Sequence, residues 1–278
     1  MITDSETNCL YLPDTLAKFY PDFFASLSTV LNECNIRQTA IPNTKDIWAV
    51  DYMPIQIGIN DFVQFIYNPD YLQSKKWLKT IPDVDEICRA IGIKPAISNI
   101  VLDGGNVVRT HNKVILCDKI FLENPDYTKS QLVKALQEIF KVESIYFIPQ
   151  HPKDFIGHAD GMLRFLNENT VIVNDYSKEN NNFTRALYIA LHNAGLDYIE
   201  IPYNPYGNSK HIHANGIYVN YLQMANTVII PTFGMKEDEE VIKQFEQLFY
   251  GQKVATVNSN EIAVNGGILN CISWNILT

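Results

Sequence analysis

The chain has 278 residues, of which 46% are hydrophobic and 19% are charged. This balance is typical of a globular protein and excludes long disordered regions. No apolar run reaches the roughly 18 residues that a membrane span needs. The 22 basic and 31 acidic side chains give a formal net charge of -9. Such a chain repels phosphate backbones, so nucleic acid is disfavoured as a partner and a cationic ligand is favoured.

The N-terminal residues and the cysteines favour a cytoplasmic protein. The chain starts with early acidic residues and has no basic segment before an apolar run, so we expect no secretory signal. Five cysteines are an odd number and include no C-x-x-C pair, which disfavours a zinc finger and a disulfide scaffold. We therefore expect free thiols, at Cys9, Cys34, Cys88, Cys117 and Cys271.

Five segments with apolar residues at helical spacing are each followed by a short strand-like segment. The clearest helix starts at Thr128, which with Gln131 predicts a capping box. The predicted helices are 23–31, 82–91, 128–141, 183–194 and 241–250. The predicted strands that follow them are 38–41, 97–102, 144–149, 198–201 and 254–257.

The helix–strand pairs belong to a larger repeating unit. After the pair comes a polar turn and an extended stretch, as in 162–175 and 217–231, and the unit recurs about every 50–60 residues. Five ββαβ-type units predict an α/β fold closed into a ring, since the end units of an open array would carry polar caps. An open mixed sheet is the alternative. We expect residues 1–278 to form a single domain.

Polar side chains collect at one place in each unit, just after the strand that follows the helix. In a closed ring these places meet at one end of the axis. We therefore expect a cysteine, a histidine and three carboxylates to converge on one concave site. The polar residues are Asp51, Asp103, His158 with Asp160, Asn215 with Asn220, and Cys271.

The pair His158 and Asp160 has structural readings as well. The two residues are two positions apart, so on a strand both side chains would point to one face. There they would form a plain hydrogen-bonded pair or half of a metal site. A second alternating pair, His211 and His213, would be needed to complete a two-plus-two metal site.

The other candidates also have two readings each. Residues 103–106 (DGGN) are a tight turn or a turn that places the carboxylate of Asp103. Cys271 is an inert core thiol, or a reactive one that the glycines at 266–267 allow a ligand to approach. Trp48 is a core residue or a lid over a flat substrate.

Five stretches together resemble the agmatine deiminase and Porphyromonas-type peptidylarginine deiminase family, within the guanidine-modifying superfamily. They follow the family's order over most of the chain, as DIWAVDYMP (46–54), LDGGNVV (102–108), GHADGMLRF (157–165), YVNYLQMANTVIIPTFG (218–234) and NGGILNCIS (265–273). The resemblance implies the pentein fold, a fivefold pseudosymmetric α/β propeller. It also implies hydrolysis of a guanidine to a ureido group plus ammonia, without a cofactor or metal.

The resemblance assigns roles to individual residues. Cys271 matches the nucleophile, and His158 and Asp160 match the family's HxD motif, with His158 as the acid/base. Asp51 matches the acid of the family's WxRD motif, and we expect Asp51 and Asp160 to hold the guanidinium bidentately. The residues expected to bind substrate are Asp103, Asn220, Trp48 and Gly267.

Two positions depart from the family pattern. Val50 stands where the family has the Arg of WxRD, and Asn270 stands where a His commonly precedes the nucleophile. These departures leave the substrate and the rate open.

These features predict a hydrolase that acts on a small cationic guanidine, agmatine first, and they leave a homo-oligomer open. Three alternatives remain. One is a peptidyl- or free-arginine deiminase, the second a guanidine-binding relative with reduced catalysis, and the third a metal-dependent hydrolase.

Overall fold

The computed structural model describes all residues from 1 to 278 and contains fifteen strands in five sheets. The first eight strands are β1 (Cys9–Pro13), β2 (Gln38–Ile41), β3 (Ile55–Gly58), β4 (Asp61–Ile66), β5 (Ala96–Val101), β6 (Val108–Arg109), β7 (Lys113–Cys117) and β8 (Ser144–Ile148). The other seven are β9 (Leu163–Asn167), β10 (Thr170–Asn174), β11 (Asp197–Ile201), β12 (Leu222–Met224), β13 (Thr227–Thr232), β14 (Lys253–Asn258) and β15 (Trp274–Ile276).

Nine helices connect or flank these strands. They are α1 (Asp14–Phe19), α2 (Pro21–Glu33), α3 (Ala49–Tyr52), α4 (Val84–Ala90), α5 (Ile120–Glu123), α6 (Lys129–Phe140), α7 (Asn181–Asn193), α8 (Glu237–Leu248) and α9 (Asn260–Ala263). None of them combines the length and the apolar character that crossing a bilayer requires.

Each sheet has three strands and follows one plan, which we call a blade. In the second blade, β3 and β4 form an antiparallel hairpin, and β5 returns after α4 to pair in parallel with β4. The same ββαβ plan repeats in the blades β6–β7–β8, β9–β10–β11 and β12–β13–β14. The predicted repeat is therefore confirmed.

The first blade closes the ring by joining the two ends of the chain. Strand β15 near the C-terminus pairs antiparallel with β1 near the N-terminus, with Cys9 opposite Ile276 and Tyr11 opposite Trp274. Strand β2 then pairs in parallel with β1 after α1 and α2. The molecule is a fivefold α/β propeller, so the closed-ring prediction is confirmed and the open-sheet alternative is wrong.

Local sequence signals explain the helix boundaries. At α6, the Thr128 hydroxyl accepts from the backbone N–H of Gln131, and Gln131 Oε1 accepts from the backbone N–H of Thr128, which is the predicted capping box. Leu132, Leu136 and Phe140 are buried on one face of this helix. Burial of each such side chain contributes about 1.5–3 kcal/mol, so this face fixes the helix on its sheet.

One extended segment is shorter than predicted. The hairpin expected over 217–231 pairs only from Leu222, because the preceding residues have other partners, such as the bridge of Ile217 to Tyr203. In the same segment, the carbonyl of Asn220 accepts from the backbone N–H of Asn270, 3.3 Å away. This hydrogen bond joins the linker after β11 to the linker after β14.

Candidate active site

The linkers that leave the five blades meet at one end of the ring. Each begins after the strand that follows the blade's helix, at β2, β5, β8, β11 and β14. Asp51 lies on α3, and the other candidates lie on linkers without long helices. The site side chains that the linkers supply are all buried: Asp51, Asp103, His158, Asp160, Asn220 and Cys271. The predicted convergence on one site is thus what the structure shows, whereas Asn215 lies elsewhere and donates to Asn260 Oδ1 at 2.7 Å.

On one side of the site, an imidazole lies between two carboxylates. His158 Nε2 is 3.0 Å from Asp103 Oδ2, and His158 Nδ1 is 3.4 Å from Asp51 Oδ1. Tyr71 adds its hydroxyl, which donates to the same Asp103 oxygen at 3.2 Å. We call Asp51, Tyr71, Asp103 and His158 the histidine half of the site.

The close approach within the histidine half requires a glycine. A Cβ at Gly105 would lie 2.6 Å from Asp51 Oδ1 and 2.7 Å from His158 Nδ1. The backbone N–H of Gly105 also donates to Asp51 Oδ1 at 3.1 Å. Residues Gly104–Asn106 form a 3₁₀ turn, so both readings of this segment hold: it is a tight turn, and it places a carboxylate.

The histidine half is arranged to hold a proton on His158. Burial disfavours the charged imidazolium, but the carboxylates of Asp51 and Asp103 outweigh it and raise the pKa of His158 to about 10. Burial, together with Asp103 and Asp160, raises the pKa of Asp51 to about 8 against the opposing charge of His158. Because both ring nitrogens face carboxylate oxygens, the protonated imidazole is the form that satisfies this geometry.

The other side of the site groups a thiol and two amides around one carboxylate. Asp160 Oδ2 accepts from Asn270 Nδ2 at 2.6 Å and from Asn220 Nδ2 at 3.0 Å. Cys271 Sγ lies 3.7 Å from the same oxygen. Asn220 Oδ1 in turn accepts from the backbone N–H groups of Asn270 and Cys271, at 3.1 Å and 3.3 Å. We call Asp160, Asn220, Asn270 and Cys271 the cysteine half.

The cysteine half holds its sulfur as a thiol when the site is empty. Burial and the nearby carboxylates of Asp160 and Asp51 raise the pKa of Cys271 well above its ordinary value. Burial also raises the pKa of Asp160, opposed by the charge of His158 and by the amide donors. The surroundings of Cys271 therefore do not generate a thiolate unaided.

Gly267 lies against both Trp48 and Cys271. A Cβ at Gly267 would lie 2.4 Å from Trp48 Cζ3 and 2.9 Å from Cys271 Cβ. Trp48 is half-buried and packs on the main hydrophobic core, so its ring is a core contact that also reaches Gly267. The side chain of Val50 is also half-buried, and its backbone N–H donates to the Cys271 carbonyl at 3.2 Å.

His158 and Asp160 do not lie on a strand, so the structural reading in which both side chains share one strand face does not apply. Residues Ala159–Gly161 form a 3₁₀ turn that His158 precedes, so the two side chains do not alternate along a strand. They point to different partners instead, His158 to the histidine half and Asp160 to the cysteine half. The turn is what lets one linker contribute to both halves.

The structure does not assemble the two-plus-two metal site either. No group of three or more His, Cys, Asp or Glu side chains is placed to hold a metal ion. His211 is exposed and His213 is half-buried. Both ring nitrogens of His158 face carboxylates instead.

Sequence reasoning missed three polar side chains that belong to this site or support it. Asn270 was noted only as a departure from the family pattern, although its position beside Cys271 could have suggested a contact with the site. Tyr71 and Lys119 carry no motif, and the loop that brings Tyr71 to Asp103 cannot be read from residue spacing.

Comparisons with known proteins agree with the fold. The profile of the Porphyromonas-type peptidyl-arginine deiminase family matches residues 14–276. A protein of Mycoplasma mycoides named "Putative agmatine deiminase" is 24% identical over 71% of this chain and 63% of its own length. One of the same name from Photobacterium profundum is 24% identical over 84% of this chain and 76% of its own length. The chain thus spans less than two thirds of the Mycoplasma relative.

Two solved structures show the same fold. The C. jejuni agmatine deiminase superimposes with a TM-score of 0.80 at 19% identity, covering 100% of this chain and 95% of its own. The DDAH from Pseudomonas aeruginosa, solved with citrulline, superimposes with a TM-score of 0.58 at 11% identity, covering 98% of this chain and 100% of its own.

Proposed function

Because this chain belongs to the Porphyromonas-type peptidyl-arginine deiminase family, we propose that it hydrolyses the guanidine group of a small cationic substrate to a ureido group and ammonia. Agmatine is the substrate we propose first. One observation carries the proposal: a buried thiol and a buried imidazole face one site, each beside its own carboxylate.

The charge of the site favours a guanidinium. Asp51, Asp103 and Asp160 are three buried carboxylates that face a single imidazolium, His158. Burial raises the pKa of Asp51 and of Asp160 in the empty site, and repulsion from the other two carboxylates adds to the rise at Asp51. A planar cation with several N–H donors favours their ionised forms. We propose that Asp51 and Asp160 accept these N–H groups, since charge-assisted bidentate pairs fix the plane of the guanidinium.

The bound cation also activates the nucleophile. Its positive charge beside Cys271 lowers the pKa of the thiol, and we propose that the thiol proton passes to Asp160, whose Oδ2 lies 3.7 Å from Sγ. The thiolate then attacks the guanidinium carbon and gives a neutral tetrahedral adduct. Imidazolium His158 protonates one amino group, the C–N bond breaks, and ammonia leaves behind an S-alkylthiouronium on Cys271.

In the hydrolysis of this intermediate, His158 acts as a base instead of an acid, and Cys271 is the leaving group instead of the nucleophile. His158, now neutral, takes a proton from water as the water oxygen bonds to the thiouronium carbon. The C–S bond breaks, the remaining hydroxyl loses its proton to the departing sulfur, and the ureido product forms. The proton first taken from the thiol leaves with the ammonia, so guanidinium and water become the ureido product and ammonium.

The residues around the histidine half support a substrate without a carboxylate. Aromatic rings lie on this side, since Tyr71 packs edge-on to His158 and Phe155 packs edge-on to Tyr71. Lys119, the cation next to the Tyr71 ring, is already bound by Asp70 and by Glu123. Since Val50 replaces the family's Arg, no guanidinium at that position is available to pair with an α-carboxylate.

Steady-state kinetics on agmatine, free arginine, methylated arginines and an arginyl peptide test the proposal. Formation of ureido product and of ammonia are measured at one pH. We expect kcat/KM for agmatine to exceed that for arginine at least about tenfold, or about 1.4 kcal/mol. A preference for arginine or the peptide would reject agmatine, and no ureido product from any guanidine would reject the deiminase chemistry.

A further inference from the structure

Tyr71 approaches the histidine half from a loop inside the second blade, and not from any of the linkers that leave the blades. The loop runs from β4 to α4, and its 3₁₀ turn Asp70–Leu72 places the half-buried Tyr71 beside the site. The Tyr71 hydroxyl donates to Asp103 Oδ2 at 3.2 Å, the oxygen that lies 3.0 Å from His158 Nε2. The Tyr71 ring also packs edge-on to the His158 ring, with centroids 6.5 Å apart.

A buried lysine holds this loop in place. Lys119 is 5% exposed, and its ammonium makes three contacts: Asp70 Oδ1 at 2.9 Å, Glu123 Oε1 at 3.1 Å, and the carbonyl of Ile156 at 2.8 Å. An ammonium has three N–H donors, so these acceptors satisfy it completely. Its nitrogen also lies 5.1 Å from the centroid of the Tyr71 ring, within cation–π range.

The contacts of Lys119 join the two chain segments that matter most for His158. Asp70 immediately precedes Tyr71, and Ile156 lies two residues before His158. The same ammonium therefore fixes the loop that carries the tyrosine and the linker that carries the histidine. A surface ion pair contributes little, but a fully bonded buried ammonium is costly to disturb.

We propose that Tyr71 is a further residue of the active site, which sets the proton affinity of the Asp103–His158 pair, and that Lys119 is the positioning residue that holds Tyr71 there. This inference rests on the proposed function for its kinetic consequence, although not for its geometry. By donating a hydrogen bond to Asp103, the Tyr71 hydroxyl partly neutralises the carboxylate charge that stabilises the imidazolium of His158. Without that donor, Asp103 binds the imidazolium more strongly and His158 becomes a weaker acid.

Several charged and titratable groups surround His158 and Tyr71. Asp51, Asp103 and Asp160 act on His158, and Asp51, Asp103 and the phenol of Tyr67 act on Tyr71. Lys119 faces the Tyr71 ring, with Glu123 and Asp70 on its ammonium. Removing one hydroxyl leaves all these charges in place, so its effect can be assigned to the hydrogen bond.

The test compares Tyr71→Phe, which keeps the ring, with the matched control Tyr206→Phe. Tyr206 also lies near lysines, 5.9 Å from Lys153 Nζ and 5.5 Å from Lys178 Nζ, but its ring packs edge-on to Tyr203 and not to His158. We expect Tyr71→Phe to lower kcat about tenfold with little change in KM, and to move the alkaline limb of kcat/KM up by about half a pH unit. Tyr206→Phe should change neither. Wild-type kinetics and pH profile in Tyr71→Phe would overturn the role of Tyr71.

A second pair of measurements separates this inference from the proposed function and from misfolding. NMR of labelled histidine, with His158 assigned through its substitution, follows the titration of His158 without turnover. The titration should show the pKa of His158 shifted upward by the same amount in Tyr71→Phe, even if no substrate is ever found. An unchanged titration of His158 would overturn the inference.

The role of Lys119 is tested by a double-mutant cycle. We expect Lys119→Met, or Asp70→Asn if Lys119→Met does not fold, to lower kcat in the same direction as Tyr71→Phe. If Lys119 acts through Tyr71, the double variant should lose little more than the worse single variant. Effects that multiply would show that Lys119 acts independently and would overturn its role as the positioning residue.

Discussion

In the histidine half an imidazole lies between two carboxylates, whereas in the cysteine half a thiol shares one carboxylate oxygen with two amide side chains. Both halves are buried and both contain acid groups, yet their effects on protons differ. The carboxylates around His158 keep a proton on a base that would ordinarily lose it near neutral pH. The burial of Cys271 and the carboxylate beside it keep a proton on an acid that must lose it to react.

This difference explains why a cation is the proposed trigger. The histidine half is ready to donate a proton without substrate, but the cysteine half becomes reactive only when positive charge enters between the halves. A thiol that stays protonated in the empty site is also protected from oxidation. Variants that remove one half, weaken the other, or alter the charge between them therefore test this difference.

The largest effect is expected from removing the proposed nucleophile of the cysteine half. Cys271→Ser should lower kcat by about 10⁴-fold or more, because a hydroxyl cannot provide the anion that attacks the guanidine carbon. Turnover of agmatine measures it, and circular dichroism checks the fold. Cys9→Ser, at a half-buried thiol in β1, serves as control and should keep full activity. Residual turnover within tenfold of wild type would contradict the role of Cys271.

Removing the proposed acid/base of the histidine half should have the next largest effect. His158→Ala should lower kcat by about 10²–10⁴-fold, the usual contribution of a general acid/base. Binding of agmatine, measured by calorimetry, should be partly retained, since the three carboxylates remain. His151→Ala is the comparison, as His151 is equally buried but packs on Tyr176 and Phe183. Equal losses in both variants would point to a stability effect alone.

The ionisation states of Asp51 and His158 should determine how kcat/KM depends on pH. In wild type, kcat/KM should rise as Asp51 ionises near pH 8 and fall as His158 loses its proton near pH 10, giving a bell.

Asp51→Asn sharpens this test. It should lower kcat/KM about a hundredfold. It should also move the alkaline limb to lower pH, because Asp51 contributes most to raising the pKa of His158. As a control, Asp197→Asn at an exposed position should leave the pH profile unchanged. If the alkaline limb stays in place in Asp51→Asn, Asp51 does not raise the pKa of His158.

The smallest effect is expected from an amide of the cysteine half. Asn270→Ala removes the 2.6 Å donor to Asp160, so kcat/KM should fall about tenfold. The pKa of Asp160 should rise, since its charged form loses a hydrogen bond. Infrared difference spectra of the buried carboxyl groups, recorded as a function of pH, follow that rise, with the exposed Asn193→Ala as control. An unchanged titration of Asp160 in Asn270→Ala would show that Asn270 does not tune Asp160.

The ring could be predicted from the sequence because helical periodicity and turn residues recur in each unit. The closing strand β15 could not, since it has only three residues and its partner β1 lies at the other end of the chain. Such a pairing is set by tertiary contacts and not by local propensity.

The members of the site were predicted better than their arrangement. The position after each blade places Asp51, Asp103, His158 and Cys271 together, but it does not say which carboxylate faces which base. The alternation rule put His158 and Asp160 on one face of a strand, whereas a 3₁₀ turn sends them to different halves. Tyr71 reaches Asp103 from 32 residues earlier in the chain, and Lys119 contacts Asp70 of the preceding blade, and no local pattern records contacts of either kind.

The most direct test of the proposed chemistry is to trap the intermediate on the nucleophile. The protein is mixed with agmatine, quenched in acid at several times during turnover, digested, and examined by mass spectrometry. We predict that the peptide containing Cys271 gains the mass of agmatine less one ammonia, and that the peptides of the other four cysteines stay unmodified. Ureido product that accumulates while Cys271 remains unmodified at every time would contradict covalent catalysis by this residue.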